Sequence, residues 1–471
     1  MEKDNSCSTS LAENGASHKS FDDEKKKKKP FTKEQKLIFF VAFISDLFAF
    51  SPISLPAPFL PAVDEQHNIS SDVTGWILGI FSLVQLIMFP VFGKFISRIG
   101  VRRTILFGQI TCGIFLIAFG LLEYLPVPDP TDKSIDVTYL VLAIVLRILQ
   151  ALGASAFATA AMTLLTSAFP DDTVVMLGYG EVAIGLGLTI GPALGSLLYK
   201  LGGFMTVFGG IGGLILLIFV ISFFILPADN YDKKEDQKAN WTLKEILTHP
   251  NVLLSVILII FIGMSCNMNN PILEPELRAK FGLSQVYSSL VFLVFPVFYL
   301  ITAPFAFSFR KRCQVFDILY CMVIDFLLGA VAFTLMGPSP LFTGLQRPLW
   351  LMVVAIAIQA VFAESGIIFT LELAFIPMDR ESKRMKEMNT ATQALISGIW
   401  LTTFAFGQYI SPVISGALAV ELSYGWTTTS YAAMCLAVAV TVLLVKVSRI
   451  VSTLMRSSWQ HKDAECEVLL H

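Results

Sequence analysis

Residues 229–248 read DNYDKKEDQKANWTLKEILT, by far the most charged internal stretch of the chain. Everything around it is apolar. On its N-terminal side, hydrophobic runs occupy residues 37–60, 73–95, 103–125, 137–169, 173–200 and 203–227. On its C-terminal side they return at 250–273, 286–309, 314–336, 348–376, 388–420 and 425–450. About 20 residues of helix cross the roughly 30 Å hydrocarbon core of a bilayer, so each run is long enough to span. Six spans, a polar linker and six more spans predict two pseudo-repeated bundles, an arrangement suited to rocking around a midplane site.

Composition agrees. The 471 residues are 55% hydrophobic and 15% charged, against about 25% charged in soluble domains. A water-soluble globule could not hide that apolar surface. The net charge of −2 excludes a nucleic-acid binder, which needs a basic excess. The expected class is an all-α membrane protein of twelve transmembrane helices. Residues 1–32 form a polar tail, 33–228 the first bundle, and 229–248 a linker containing a short interfacial helix at Trp241–Leu247. Residues 249–452 form the second bundle and 453–471 a second tail.

Lysine and arginine set the orientation. With the N-terminus in the cytosol, the cytosolic segments carry 26 of them and the opposite side 5: Lys133, Lys200, Arg278, Lys280 and Arg347. The positive-inside rule then places both termini in the cytosol. The start shows no basic-then-apolar leader pattern. The run Lys25–Lys29 sits where it can bind anionic lipid. Asn68-Ile-Ser70 is a glycosylation sequon in the first non-cytosolic loop, whereas Asn240-Trp-Thr242 lies on the cytosolic side.

The chemistry-bearing patterns of enzymes are missing. The five histidines (His18, His67, His249, His461 and His471) all fall outside the spans, and there is no HExxH, phosphate-binding loop or nucleophile triad. The seven cysteines make no CxxC pair, so neither a metal nor any other cofactor is expected.

Three motifs carry a resemblance. Gly93-Lys-Phe-Ile-Ser-Arg98-Ile-Gly100-Val-Arg102-Arg103 joins spans 2 and 3, Arg147-Ile-Leu-Gln150-Ala-Leu-Gly153 lies in span 4, and Gly187-Leu-Thr-Ile-Gly191-Pro192-Ala-Leu-Gly195 lies in span 5. They resemble the loop, buried-arginine and antiporter signatures of the major facilitator superfamily. Physically, Gly187, Gly191 and Gly195 form a smooth ridge for helix packing, and Pro192 permits a bend. The prolines Pro58 and Pro61 closing span 1, the GPALGSLLY run and the Ala-Phe-Pro170 close of span 4 look like the vesicular amine transporters, nearest the polyamine branch. Ser97 stands where the loop signature usually has aspartate, and Phe309-Arg-Lys-Arg312 keeps little of the matching second-half loop. The resemblance implies a proton-driven carrier of cationic amines working as a monomer. It also implies that spans 1, 4, 7 and 10 line the cavity.

Mechanism has to come from ionisable groups that are costly in a bilayer, about 2.5–3.5 kcal/mol each at its centre. These are Asp46, Arg147, Glu181, Asp325, Glu364 and Glu372. The expectation is that Asp46 and Glu364 exchange a proton for a substrate ammonium, with Glu181 a second anionic site. Arg147 would pair with an acid when the site is empty, and Glu372 lies nearer the cytosolic end. Asp325 is expected to be structural. Asn267, Asn269, Asn270, Gln393 and Trp400 are candidate polar contacts in the cavity. Glu465 followed by Leu469 and Leu470 resembles an acidic dileucine signal read by adaptor complexes, pointing to vesicle, endosomal or lysosomal membranes. The competing readings are a plasma-membrane multidrug or organic-cation exporter and a non-transporting sensor on the same scaffold.

Overall fold

The computed structural model describes residues 31–129, 134–169, 173–227, 242–312, 317–337, 341, 348–375 and 390–469. Lys25–Lys29, Lys133, Asn240, Arg347 and Leu470 lie outside the described residues. The first half runs α1 (Lys33–Ser54), α2 (Leu60–Gln66), α3 (Ser71–Ile99), α4 (Val101–Gly120), α5 (Val137–Ala168) and α6 (Thr173–Ile225), with one 3-10 turn at Leu121–Tyr124. After the short α7 (Leu243–Thr248) come α8 (Pro250–Asn267), α9 (Leu273–Phe281), α10 (Gln285–Phe292), α11 (Val294–Arg312) and α12 (Ile318–Met336). The chain ends with α13 (Leu349–Phe375), α14 (Thr390–Glu421) and α15 (Tyr424–Leu469).

Local chemistry explains the boundaries. Thr32 caps α1 in a reciprocal box with Gln35, and Thr242 caps α7 with Glu245; each box satisfies two otherwise orphaned N–H groups. Gly100 separates α3 from α4 at φ 98°, a conformation an L side chain resists. Eleven helical segments among the described residues are long and apolar enough to cross a bilayer. One of them, Val182–Ile225, has 44 residues. That is about 66 Å of helix, twice a membrane's apolar thickness. It turns back at Gly202–Gly203, where Gly203 has φ 74°. The Glu123 carboxylate accepts the freed Phe204 and Met205 N–H groups at 3.4 and 2.7 Å, capping the returning segment. The described residues therefore make twelve crossings.

Buried apolar side chains gather into two large clusters. One spans residues 49–215 and the other 258–442, the second also holding Ala57. The same pairings recur in both halves: α1 packs on α6 and α8 on α14, while α3 crosses to α14 and α6 to α10 and α11. α15 continues as helix to Leu469. Residues 446–469 contain no glycine or proline to stop it.

Among the described residues the halves meet near mid-membrane, where a Cβ at Gly185 of α6 would lie 3.2 Å from Leu300 of α11, and most closely at one end of α3 and α14. A Cβ at Gly79 would sit 2.8 Å from the Tyr409 carbonyl, and those at Gly75 and Gly416 would strike the backbone at Pro412 and Ser71. All belong to the ends of α3 and α14 remote from the basic loops. At the basic ends of the same two helices, Gly93 and Gly398 have nothing within 4 Å. The cleft between the halves is thus closed on the side opposite the lysine-rich loops and splayed on theirs.

Candidate transport site

A cavity lies between the halves. From the first half it is lined by Phe50, Ile53, Ser54, Ile184, Leu188 and Pro192. The second half supplies Cys266, the amides of Asn267, Asn269, Asn270 and Gln408, and the rings of Phe292, Phe295, Tyr299 and Phe404. The wall is therefore aromatic and amide, without a lysine or arginine.

Prolines shape this wall. In a helix each carbonyl accepts from the N–H four residues on, and proline has none to give. Pro192 leaves the Leu188 carbonyl without a helical donor, and Ser54 Oγ of α1 fills the place at 3.0 Å. Pro412 does the same to Gln408, whose carbonyl accepts from Asn267 Nδ2 of α8 at 3.2 Å. The two halves solve one problem in the same position. A third instance lies deeper: Pro56 orphans the Pro52 carbonyl, and Arg147 Nη1 donates to it at 3.0 Å. Ser54, Leu188 and Gln408 were not among the expected site residues, although a proline four residues downstream marks each such carbonyl in sequence.

Arg147 corrects an expectation. It is 1% exposed, lies over the rings of Phe81 and Phe119 at 4.5 and 5.9 Å, and also bonds Gln150 Oε1 at 3.1 Å. Among the described residues no carboxylate bridges it. Its charge is held by a carbonyl dipole and π-faces.

The acids are spread over both halves. Asp46 is fully buried on α1 and faces Gly180 of α6, where its carboxylate would lie 3.5 Å from a Cβ. It sits inside the first bundle and is not among the cavity's lining residues. Glu364 is 5% exposed on α13, within electrostatic range of the cavity-lining Cys266 thiol. The pair expected to alternate therefore lie in separate halves. The side chains of Glu181, on α6, and Gln393, on α14, lie outside the described residues. Glu372 forms a two-pronged ion pair with Arg310, tying α13 to the α11 end at the basic face. That is an architectural contact away from the cavity. Asp325 is buried on α12 and accepts the Ser365 hydroxyl, as a structural group would.

Asn267, Asn269 and Asn270 all reach the cavity. Asn269 Nδ2 donates to Gln359 Oε1 at 2.9 Å and Asn270 Nδ2 to Asn267 Oδ1 at 3.4 Å. Trp400 does not line it; its indole N–H donates to Thr370 at 3.3 Å and its ring stacks on Phe404. The glycine ridge packs as its spacing implies: Gly187 lies against the Leu47 carbonyl, Gly191 against Ser54 and Ser51, and Gly195 against Phe59. In the loop signature, Arg102 donates to the Phe223 carbonyl at the end of α6 at 2.7 Å, and Arg98 lies 5.8 Å from the Phe95 ring. Arg103 is exposed beside it. Asn68 is exposed, adopts φ 56° and donates its amide to the Ser134 carbonyl at 3.1 Å. Glu465 and Leu469 fall on the last turns of α15.

Comparison with known proteins places this architecture. A profile of the Major Facilitator Superfamily matches residues 38–266. The chain is 30% identical over 400 residues to the MFS-type transporter SLC18B1 of Rattus norvegicus, covering 84% of this chain and 83% of that one. It is 23% identical over 373 residues to the synaptic vesicular amine transporter of Homo sapiens, covering 78% and 66%. Among solved structures, the nucleoside transporter NupG superposes with a TM-score of 0.61 at 11% identity, over 88% of this chain and 99% of the other. These are transporters and not enzymes. The chain belongs to the Major Facilitator Superfamily, in the group that holds the SLC18B1 transporters and, more distantly, the vesicular amine transporters.

Proposed function

We propose that the protein exchanges protons for cationic amines of the polyamine or monoamine kind across an organelle membrane, by alternating access. The observation that carries this reading is Glu364, an acid buried beside a cavity whose walls are rings and amides. Aromatic faces attract ammonium groups, and amide carbonyls accept their hydrogen bonds. A buried acid holds either a proton or an adjacent cation, which is the simplest route to exchange. Asp46, buried on the facing half, and Glu181 supply further negative charge along the first bundle. The similarity to the synaptic vesicular amine transporter and the sequence pattern of Glu465 followed by Leu469 and Leu470 support a vesicular or endosomal address. Adaptor recognition of Glu465, Leu469 and Leu470, glycosylation at Asn68, and function as a monomer in the lipid bilayer complete the proposal.

The test is uptake of radiolabelled spermidine, serotonin and a lipophilic cationic dye into proteoliposomes, with and without an inside-acid gradient. Gradient-dependent polyamine or monoamine uptake supports the reading. Uptake of the dye alone supports a multidrug exporter, a reading favoured by the aromatic wall and by 24% identity to Multidrug resistance protein 2 of Bacillus subtilis over 263 residues. No cation uptake by folded protein would sink both.

A further inference from the structure

At the closed end, opposite the basic loops, α2 of the first half packs against α9 of the second. One ion pair crosses between them, Glu65 with Arg278. Arg278 also reaches back to the buried Glu274 carboxylate at 3.4 Å. The residue before Glu65 is Asp64, which is completely buried. No cation contacts its carboxyl among the described residues. Its contacts are two hydroxyls, Thr74 of α3 and Tyr139 of α5, the latter donating at 2.7 Å. Tyr139 stacks on the His67 ring at 4.1 Å, and His67 Nδ1 bonds Asp136 at 2.8 Å. That last pair is self-contained, because burial works to raise Asp136 while bonds from the Tyr139 N–H and His67 outweigh it and hold it below its ordinary value.

A carboxylate sealed among hydroxyls and apolar side chains has lost its hydration and gained no opposite charge. Two neutral donors do not repay that loss, so the acid form is the one that fits. Asp64 nevertheless sits on the helix that makes the bridge to the other half. When the closed end parts, α2 loses the cover that α9 gives it.

We propose that Asp64 is a proton-binding site of the transport cycle, its carboxyl buried neutral while the face opposite the basic loops is closed and ionised when that face opens. The proposal rests on the alternating-access reading above and adds to it a proton site outside the central cavity. Burial raises Asp64 from an ordinary 3.8 to about 7, with the Thr74 and Tyr139 hydrogen bonds pulling the other way. Linkage then fixes the sign. The closed state binds the proton more tightly than the open one, so falling pH favours closure, beginning near 7 and ceasing near 3.8. Between those limits the closed-to-open ratio gains up to about tenfold per pH unit. An acidic compartment on that side therefore drives the carrier shut and back toward the basic side.

Other charged groups face this region. Glu65 lies beside Asp64 on α2, and Asp72 lies at the start of α3, accepting from Ser70. From α9 come Arg278, Glu274, and the Glu276–Lys280 pair. Burial raises Glu274 to about 6, with Arg278 lowering it and Glu65 raising it. It adds to the response in the same direction, but one unit lower.

The experiment uses the full chain in lipid nanodiscs. Hydrogen–deuterium exchange of residues 60–66 and 273–281 is followed across pH 7 and corrected for intrinsic exchange, and the neutral-carboxyl C=O infrared band is titrated in parallel. Protection in the wild type should rise as pH falls through about 7. In Asp64→Asn it should be high on both sides of that pH, with the titrating band gone. Tyr139→Phe keeps the ring stack and removes one donor, so its midpoint should move upward even where Asp64→Asn folds poorly. A wild-type pH profile in Asp64→Asn, or an unmoved midpoint in Tyr139→Phe, overturns the proposal. Protection that responds to spermidine but not through Asp64 defeats this inference alone. Protection that responds to neither spermidine nor pH defeats the alternating-access reading beneath it.

Discussion

The Asn267 side-chain amide donates to the Gln408 carbonyl at 3.2 Å, in the position that Ser54 and Leu188 occupy in the other half at 3.0 Å. Each bond repairs a gap that a proline opens in a neighbouring helix. Both bonds lie in the cavity wall, so the bends that shape the wall are held by side chains from the opposing helix of the same half.

Ser54→Ala should cost roughly 1 kcal/mol of stability, the worth of one intramolecular hydrogen bond. The same substitution in a Pro192→Ala background should cost almost nothing, because the restored N–H already serves Leu188. A thermal-unfolding double-mutant cycle checks this; additive effects would refute the repair.

Arg147→Lys should lose the Pro52 carbonyl bond or the ring stacking, at about 2–3 kcal/mol. Asp46→Asn should not rescue it. Rescue would restore the ion-pair expectation that the structure replaces, and unfolding in detergent with and without the second substitution decides between them.

Glu364→Gln should abolish gradient-driven uptake while leaving folding intact. Glu372→Gln should leave the pH profile of uptake unchanged and cost about 1.5–3 kcal/mol, because it removes the charged partner of the buried Arg310. Equal transport defects in the two variants would return Glu372 to the coupling machinery.

Gly75→Val should prevent the closed end from forming, since its side chain would strike the Pro412 backbone. The variant should stay folded and shift toward opening on the side away from the basic loops. Greater exchange of residues 60–66 would register that shift.

How far the sequence reaches depends on the kind of signal. The twelve crossings were legible because span length and charge asymmetry are local and additive. The glycine ridge was legible because Gly187, Gly191 and Gly195 share one helix face. The turn at Gly202–Gly203 was visible as a break between runs, but its cap, Glu123, comes from another helix. The fates of Arg147 and Glu372 were not legible. A charge in an apolar run announces a cost, and only the fold says whether a carbonyl, a ring or an ion of opposite sign meets it. Asp64 was not legible as a site because it lies just past the first span, where a carboxyl carries no bilayer cost to mark it.

Arg147 has a further consequence, for how the chain is made. A helix bearing an unshielded arginine enters the bilayer at a cost of about 2.5–3.5 kcal/mol, and among the groups that shield it here is the Pro52 carbonyl of α1. As the ribosome delivers the crossings in order, the first must already wait at the insertion channel, bent and with that carbonyl bare, when the fourth emerges. Pro52 in α1 and Pro56 just after it thus prepare a berth for a segment synthesised some hundred residues later, and they make the first bundle a unit of biogenesis before it is a unit of transport.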